Sequence, residues 1–164
     1  MIQNRRIWVL LAVVIGMALF LGLTARNGLG FPLDDAWIHQ TYARNLARYG
    51  RLEFTPGVSS AGSTAPLWTL LLALGYLLRL PFLLWSNLLG GLSLLWLGWS
   101  GMHLWQTLWP AQANRAWLAG VVLVFTWPLL WAAASGMETI FFAAVGLQLA
   151  AWYAEIAATN TFSY

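Results

Sequence analysis

Asp34 and Asp35 stand side by side in a chain that holds only five acidic residues. Their simplest role is at a helix start, where carboxylates offset the positive helix end and accept free N–H groups, for about 1 kcal/mol. Adjacent carboxylates also repel, which sets one of them up as a proton acceptor or lets both share a divalent cation such as Mg or Mn. His39 follows Asp35 by four residues, on the same helix face. That spacing predicts a hydrogen bond to Asp35, with metal ligation as the alternative. Arg44, Arg48 and Arg51 share another face, as a headgroup-facing stripe or as a clamp for phosphate, whose oxygens the guanidinium fork matches. Ser63 and Thr64 precede an apolar run; either caps the helix that begins there, or both help cradle an anion at its N-terminus. Glu138 stands between long apolar runs, where an ionisable group is costly and is by default a functional candidate. Its plainer role is in the first turn of a helix capped by Ser135.

The elements that must position these groups are set by composition. Of 164 residues, 60% are hydrophobic and 8% charged, against about 25% charged in a soluble domain. From Thr55 to the end only Arg79, Arg115, Glu138 and Glu155 carry formal charge. Such a stretch has no polar surface for water, and the expectation is an all-α, polytopic transmembrane protein. The net charge of +3 is small and scattered, which argues against nucleic acid as a partner. The absence of cysteine excludes disulfides, thiolate metal sites and Cys nucleophiles together.

Residues 1–25 read as a first transmembrane helix. Its apolar run, Ile7 to Leu23, follows Arg5-Arg6, which places the N-terminus in the cytoplasm. Residues 26–65 then form an outer loop containing a helix over 34–49, started by Pro32 and the acids and stopped by Gly50. Ile38, Tyr42, Leu46 and Tyr49 repeat at helical spacing opposite the arginines, so this helix is expected to be amphipathic and to lie on membrane lipids. Residues 66–164 supply three or four further membrane helices: a short run 67–78, then 82–105, 116–131 and a run opening at Ile140. If 67–78 crosses fully, Glu138 is cytoplasmic. If it re-enters, Glu138 returns to the face that carries Asp34, which is the arrangement the short run favours.

The ordered set Leu33-Asp34-Asp35-Ala36-Trp37-Ile38, Tyr42-Ala43-Arg44-Asn45-Leu46-Ala47, Phe54-Thr55-Pro56-Gly57, Ser60-Ala61-Gly62-Ser63-Thr64-Ala65-Pro66-Leu67-Trp68 and Ser135-Gly136-Met137-Glu138-Thr139 resembles the N-terminal part of membrane glycosyltransferases of the GT-C fold. The likeness is greatest to bacterial arabinofuranosyl- and mannosyltransferases that use polyprenyl-phosphate sugars, and it runs from about residue 5 to 155. It implies a catalytic role for Asp34 as base or acceptor-orienting group, with Asp35 as its partner or as a metal ligand beside it, and Glu138 as a further acid of the same site. It further implies a polyprenyl-phosphate sugar donor, a glycan, lipid or protein acceptor, and an extracytoplasmic site on the bacterial inner membrane. Substrate would be held by His39, Arg44, Arg48, Ser63 and Thr64. Such enzymes usually have more than ten spans, so the chain is expected to be the front portion of a longer enzyme. A non-catalytic membrane fragment or subunit, or a transporter component, is the alternative.

The outer placement of 26–65 is directly testable because the chain has no cysteine. Single Cys substitutions at Thr41 and Ser60 are expected to react with a membrane-impermeant maleimide in intact cells, and reaction only after lysis would reverse the orientation.

Overall fold

The computed structural model describes Gly22, residues 30–60 and residues 62–161; the expected first span, Ile7 to Leu23, lies outside the described residues apart from that one glycine. Among the described residues there are helices and no strand. The first, α1, is Asp34–Tyr49. Leu33 precedes it in extended conformation, both acids occupy its first turn, and Gly50 ends it with a left-handed φ of 69° and an N–H bonded to Leu46 O. Glycine is suited to that position because it has no Cβ to clash there.

The link that follows is folded back onto α1 by its own polar groups. The Asn45 amide donates to both Glu53 O and Phe54 O at 2.9 Å, and Glu53 Oε2 accepts the Gly57 N–H at 2.7 Å. The Tyr42 phenol oxygen lies 2.8 Å from Ser60 Oγ and accepts the Gly62 N–H at 2.9 Å. This segment therefore reaches the next helix along a fixed path.

That helix, α2, is Pro66–Leu77, with Pro66 in its first turn. Its 12 residues measure roughly 18 Å, well under a hydrocarbon core of about 30 Å. It stops as the Arg79-Leu80-Pro81 sequence predicts, by a Schellman motif: Leu80 N–H bonds to Gly75 O at 2.9 Å and Arg79 N–H to Tyr76 O at 3.1 Å. Arg79 itself takes the left-handed position, with φ 56°. The chain then enters α3, Phe82–Leu108, whose first ring packs on Trp37 and Phe31 beside α1. The leading end of α2 lies against His39 and Gly136. Both ends of this short helix are thus held at the α1 end of the molecule.

From there α3 runs away from α1, and a 3-10 turn at Pro110–Arg115 reverses the chain. Two helices return, α4 (Ala116–Phe125) and α5 (Trp127–Ala134), followed by α6 (Thr139–Thr161). The expected crossing over 116–131 is not one straight helix: the return path bends by 56° at Thr126. Pro128 lacks the N–H needed to continue the α4 ladder and restricts the backbone of Trp127 before it. Pairs Trp96–Phe141, Ser100–Gln148 and His103–Glu155 show that α3 and α6 are parallel. Gly90 beside Ala133 and Gly98 beside Val124 show that the return path is antiparallel. Of the described helices, α3 and α6 are long and apolar enough to cross a membrane, and the bent α4–α5 pair would make a third.

Two apolar cores result among the described residues. One joins Leu94, Leu97, Val124, Leu130 and Ile140 within the bundle; the other joins Ala43 of α1 to Trp68, Leu72 and Ala73 of α2. The Trp68 and Phe141 rings, 5.9 Å apart, connect them. Close helix approach in the bundle depends on small residues. A Cβ at Gly90 would run into the Ala133 carbonyl, which no rotamer change relieves. Gly90→Ala is therefore expected to destabilise the protein by about 1–3 kcal/mol, measured by unfolding in detergent. Gly146→Ala, where a Cβ meets nothing within 4 Å, should not, because alanine is the better helix former.

Candidate functional site

The end of the bundle nearest α1 gathers chemistry-bearing residues from three separated segments. Asp34 and Asp35 are exposed in the first turn of α1. Asp34 does not cap the helix: Leu33 holds that position, and among the described residues Asp34 Oδ1 accepts the neighbouring Asp35 N–H, at 3.1 Å. Both carboxylates consequently face outwards from the protein.

His39 is buried, at 2% exposure. The hydrogen bond to Asp35 expected from helical spacing does not form. Instead its Nε2 lies 3.3 Å from Glu138 Oε2, and its Nδ1 lies 3.4 Å from Thr69 Oγ1. Thr69 Oγ1 in turn is 2.8 Å from Ser63 Oγ. One proton assignment serves every member: Ser63 donates to Thr69, Thr69 donates to Nδ1, and the ring N–H on Nε2 faces the carboxylate. Among the described residues Glu138 Oε2 is buried and has no aligned hydrogen bond, and the His39 ring nitrogen is the polar group in contact with it.

The loop bearing Glu138 is fixed by its own geometry. Gly136 has φ 82°, its carbonyl accepts the Trp68 indole N–H at 3.1 Å, and a Cβ there would strike the Phe31 ring. Ser135 does not cap α6, which begins at Thr139; its hydroxyl donates to Ala132 O at 2.7 Å and accepts the Met137 N–H at 3.3 Å, closing the turn after α5. Nor do Ser63 and Thr64 cap α2, whose N-cap is Ala65 with no side-chain bond. Ser63 is spent on Thr69, and Thr64 lines a cavity of about 270 Å³ together with residues 65–68, Glu138, Phe141 and Phe142.

Arg44 and Arg48 are exposed on the opposite flank of α1. They lie close enough to Tyr76 to act on its phenol, which burial pushes up and the two guanidinium groups pull part of the way back. Arg51 stands 3.8 Å from Glu53 and faces solvent. The Tyr76 hydroxyl donates to Gln40 Oε1 at 2.9 Å. The arginines thus flank the site without entering the cavity. Among the described residues no group of three or more His, Cys, Asp or Glu is placed to hold a metal ion.

A second polar chain lies between α3 and α6. Gln148 Oε1 accepts from Ser100 Oγ at 2.9 Å and from the Trp96 indole at 3.3 Å. Its Nε2 lies 3.3 Å from His103 Nδ1, and His103 Nε2 lies 3.4 Å from Glu155 Oε2. The available signal was the rarity of Gln, His and Glu within apolar helices, which makes each of them a candidate in its own right.

No family model, curated protein or solved structure matches the chain.

The contact between His39 and Glu138 generates a stability prediction. His39→Leu fills the same buried space but leaves the carboxylate oxygen and the Thr69 hydroxyl without their partner, a loss of about 1–3 kcal/mol. Unfolding in detergent should show it, and His39→Gln, whose amide can face both groups, should recover part of it.

Proposed function

We propose that this chain forms the site-bearing part of a GT-C-type glycosyltransferase of the bacterial inner membrane, transferring sugar from a polyprenyl-phosphate donor to an extracytoplasmic acceptor hydroxyl. The observation that carries the reading is the meeting of His39, Thr69, Ser63 and Glu138 beneath a helix with two exposed acids in its first turn, in a structure whose long helices are apolar enough to cross a membrane. A lipid-linked sugar phosphate presents its reacting carbon at the membrane surface. An enzyme acting there needs a carboxylate for the acceptor proton and cations for the departing phosphate.

In this reading α1 lies at the outer membrane surface, α2 dips without crossing, and Glu138 shares the outer face with Asp34. The acceptor oxygen attacks the anomeric carbon as the bond from that carbon to the phosphate oxygen breaks, with inversion. The hydroxyl proton passes to a carboxylate, Asp34 in the first instance, with Asp35 and Glu138 orienting the acceptor. Polyprenyl phosphate departs with its charge opposed by the guanidinium groups of Arg44 and Arg48. His39 holds Glu138, and Thr64 offers a hydroxyl to bound substrate.

Asp34→Asn separates the base from a merely structural acid, because the amide keeps size and polarity but accepts no proton. In membranes that transfer sugar with the wild-type chain, it is expected to lower turnover by about 10²–10⁴-fold while insertion is unchanged. Near-normal turnover would remove Asp34 from the chemistry. Transfer unchanged on deleting the chain would leave it a non-catalytic subunit.

A further inference from the structure

The cavity beside Glu138 has a composition that selects its occupant. Residues 65–67 and Trp68 form one wall and Phe141 and Phe142 the other, with Thr64 and Glu138 as the polar members. Among the described residues that line it, Glu138 alone is charged. At about 270 Å³ it has room for some nine waters at roughly 30 Å³ each, yet its lining is too apolar to hold that many well. Its approach is apolar as well: Leu67 is 57% and Phe142 75% exposed, one on each flank. Water is a poor tenant for such a space, and an alkyl or prenyl body is a good one.

The head group follows from the charge. A phosphate or carboxylate would stand against Glu138 in surroundings of low dielectric, where like-charge repulsion is strongest. The cations that could offset it, Arg44 and Arg48, flank Tyr76 on α1 instead. A second cation is not called for, since His39 already faces Glu138 Oε2 at 3.3 Å. A carboxylate only accepts hydrogen bonds, whereas the Thr64 hydroxyl both donates and accepts. A neutral hydroxyl satisfies both walls, giving its proton to Glu138 and its lone pair to Thr64.

We infer that the cavity between α2 and α6 binds a neutral, hydroxyl-bearing amphiphile, its apolar body among Leu67, Trp68 and Phe142 and its hydroxyl on Glu138. Resting on the glycosyltransferase reading, this assigns the cavity to the acceptor and makes that acceptor a lipid, reached from within the bilayer between α2 and α6. The anionic donor lies on the other flank, towards Arg44 and Arg48, and the two substrates meet over the α1 end.

The test uses neither donor nor turnover, so its failure is separate from failure of the glycosyltransferase reading. The wild-type chain in lipid nanodiscs is treated at pH 5.5 with dicyclohexylcarbodiimide, an apolar carboxyl reagent, and modification of Glu138 is read by mass spectrometry. Decyl glucoside, decyl phosphate and decylamine are then compared as protectants at equal mole fraction in the bilayer. Decyl glucoside is expected to reduce modification of Glu138 at least five-fold, with modification of Glu155 unchanged, and the other two to have less than a two-fold effect. Thr64→Val should weaken protection by the glucoside without altering modification in its absence. Protection by decyl phosphate equal to or better than the glucoside would make this the donor's lipid site and overturn the assignment. Protection by decylamine alone would make it a cation site, and absence of protection by all three would leave no amphiphile site there; either result also overturns it.

Discussion

A carboxylate placed among apolar helices must find a polar partner, and for Glu138 that partner is His39, drawn from a helix near the opposite end of the described chain. The arrangement of the whole α1 end follows from the need to bring these two together. α1 must turn its His39 face inwards, α2 must lie across it so that Thr69 can serve the other ring nitrogen, and the 135–138 turn must be pulled down by the Trp68 indole. Uncompensated burial of any one of these groups would cost more than a typical hydrogen bond contributes, so the three segments are energetically coupled. Polar groups are scarce in this sequence, and His39, Thr69, Ser100 and Gln148, all buried, are linked to one another or to a carboxylate.

The parallel pairing of α3 and α6 is the second organising fact. Two parallel helices need a return path, and a sequence dominated by bulky apolar residues has to make that path slim. Glycines on α3 let α4 and α5 approach backbone to backbone, and the break at Thr126 redirects the chain so that α5 closes on Gly90. Because α3 starts next to Phe31 and Trp37, the direction of the bundle is set by an aromatic cluster outside it.

The elements were largely legible in the sequence where a local signal marks them. The acids, helical spacing and Gly50 mark α1 from end to end, and Arg79-Leu80-Pro81 marks the close of α2. What failed was inference of partners. Periodicity places His39 over Asp35, but the histidine turns to a residue that sequence spacing cannot bring near. Ser63, Thr64 and Ser135 have the residue types of helix caps, yet Ser135 closes a turn, Ser63 turns to Thr69 beside His39, and Thr64 lines the cavity. Pro128 was a visible break within 116–131, and the apolar character of the run concealed it. His103, Gln148 and Glu155 each stand out as polar residues in apolar helices, but only the parallel packing of α3 on α6 joins them into a chain.

The 27 residues of α3 amount to about 40 Å of helix, some 10 Å more than a typical hydrocarbon core. A membrane housing this helix must absorb the mismatch by tilting it or by letting one end emerge. Phe82 is anchored by rings at the α1 end, so the surplus falls at the other. Counting roughly 1.5 Å per residue from Phe82 puts His103 about 31 Å down, at the far headgroup boundary. His103 and Glu155 would then meet in the wet margin of the opposite leaflet, while Gln148 and Ser100 stay in the oil above them. In a bilayer matched to α3 in this way, the polar chain would act as an anchor at its lower end, setting the depth at which the bundle sits.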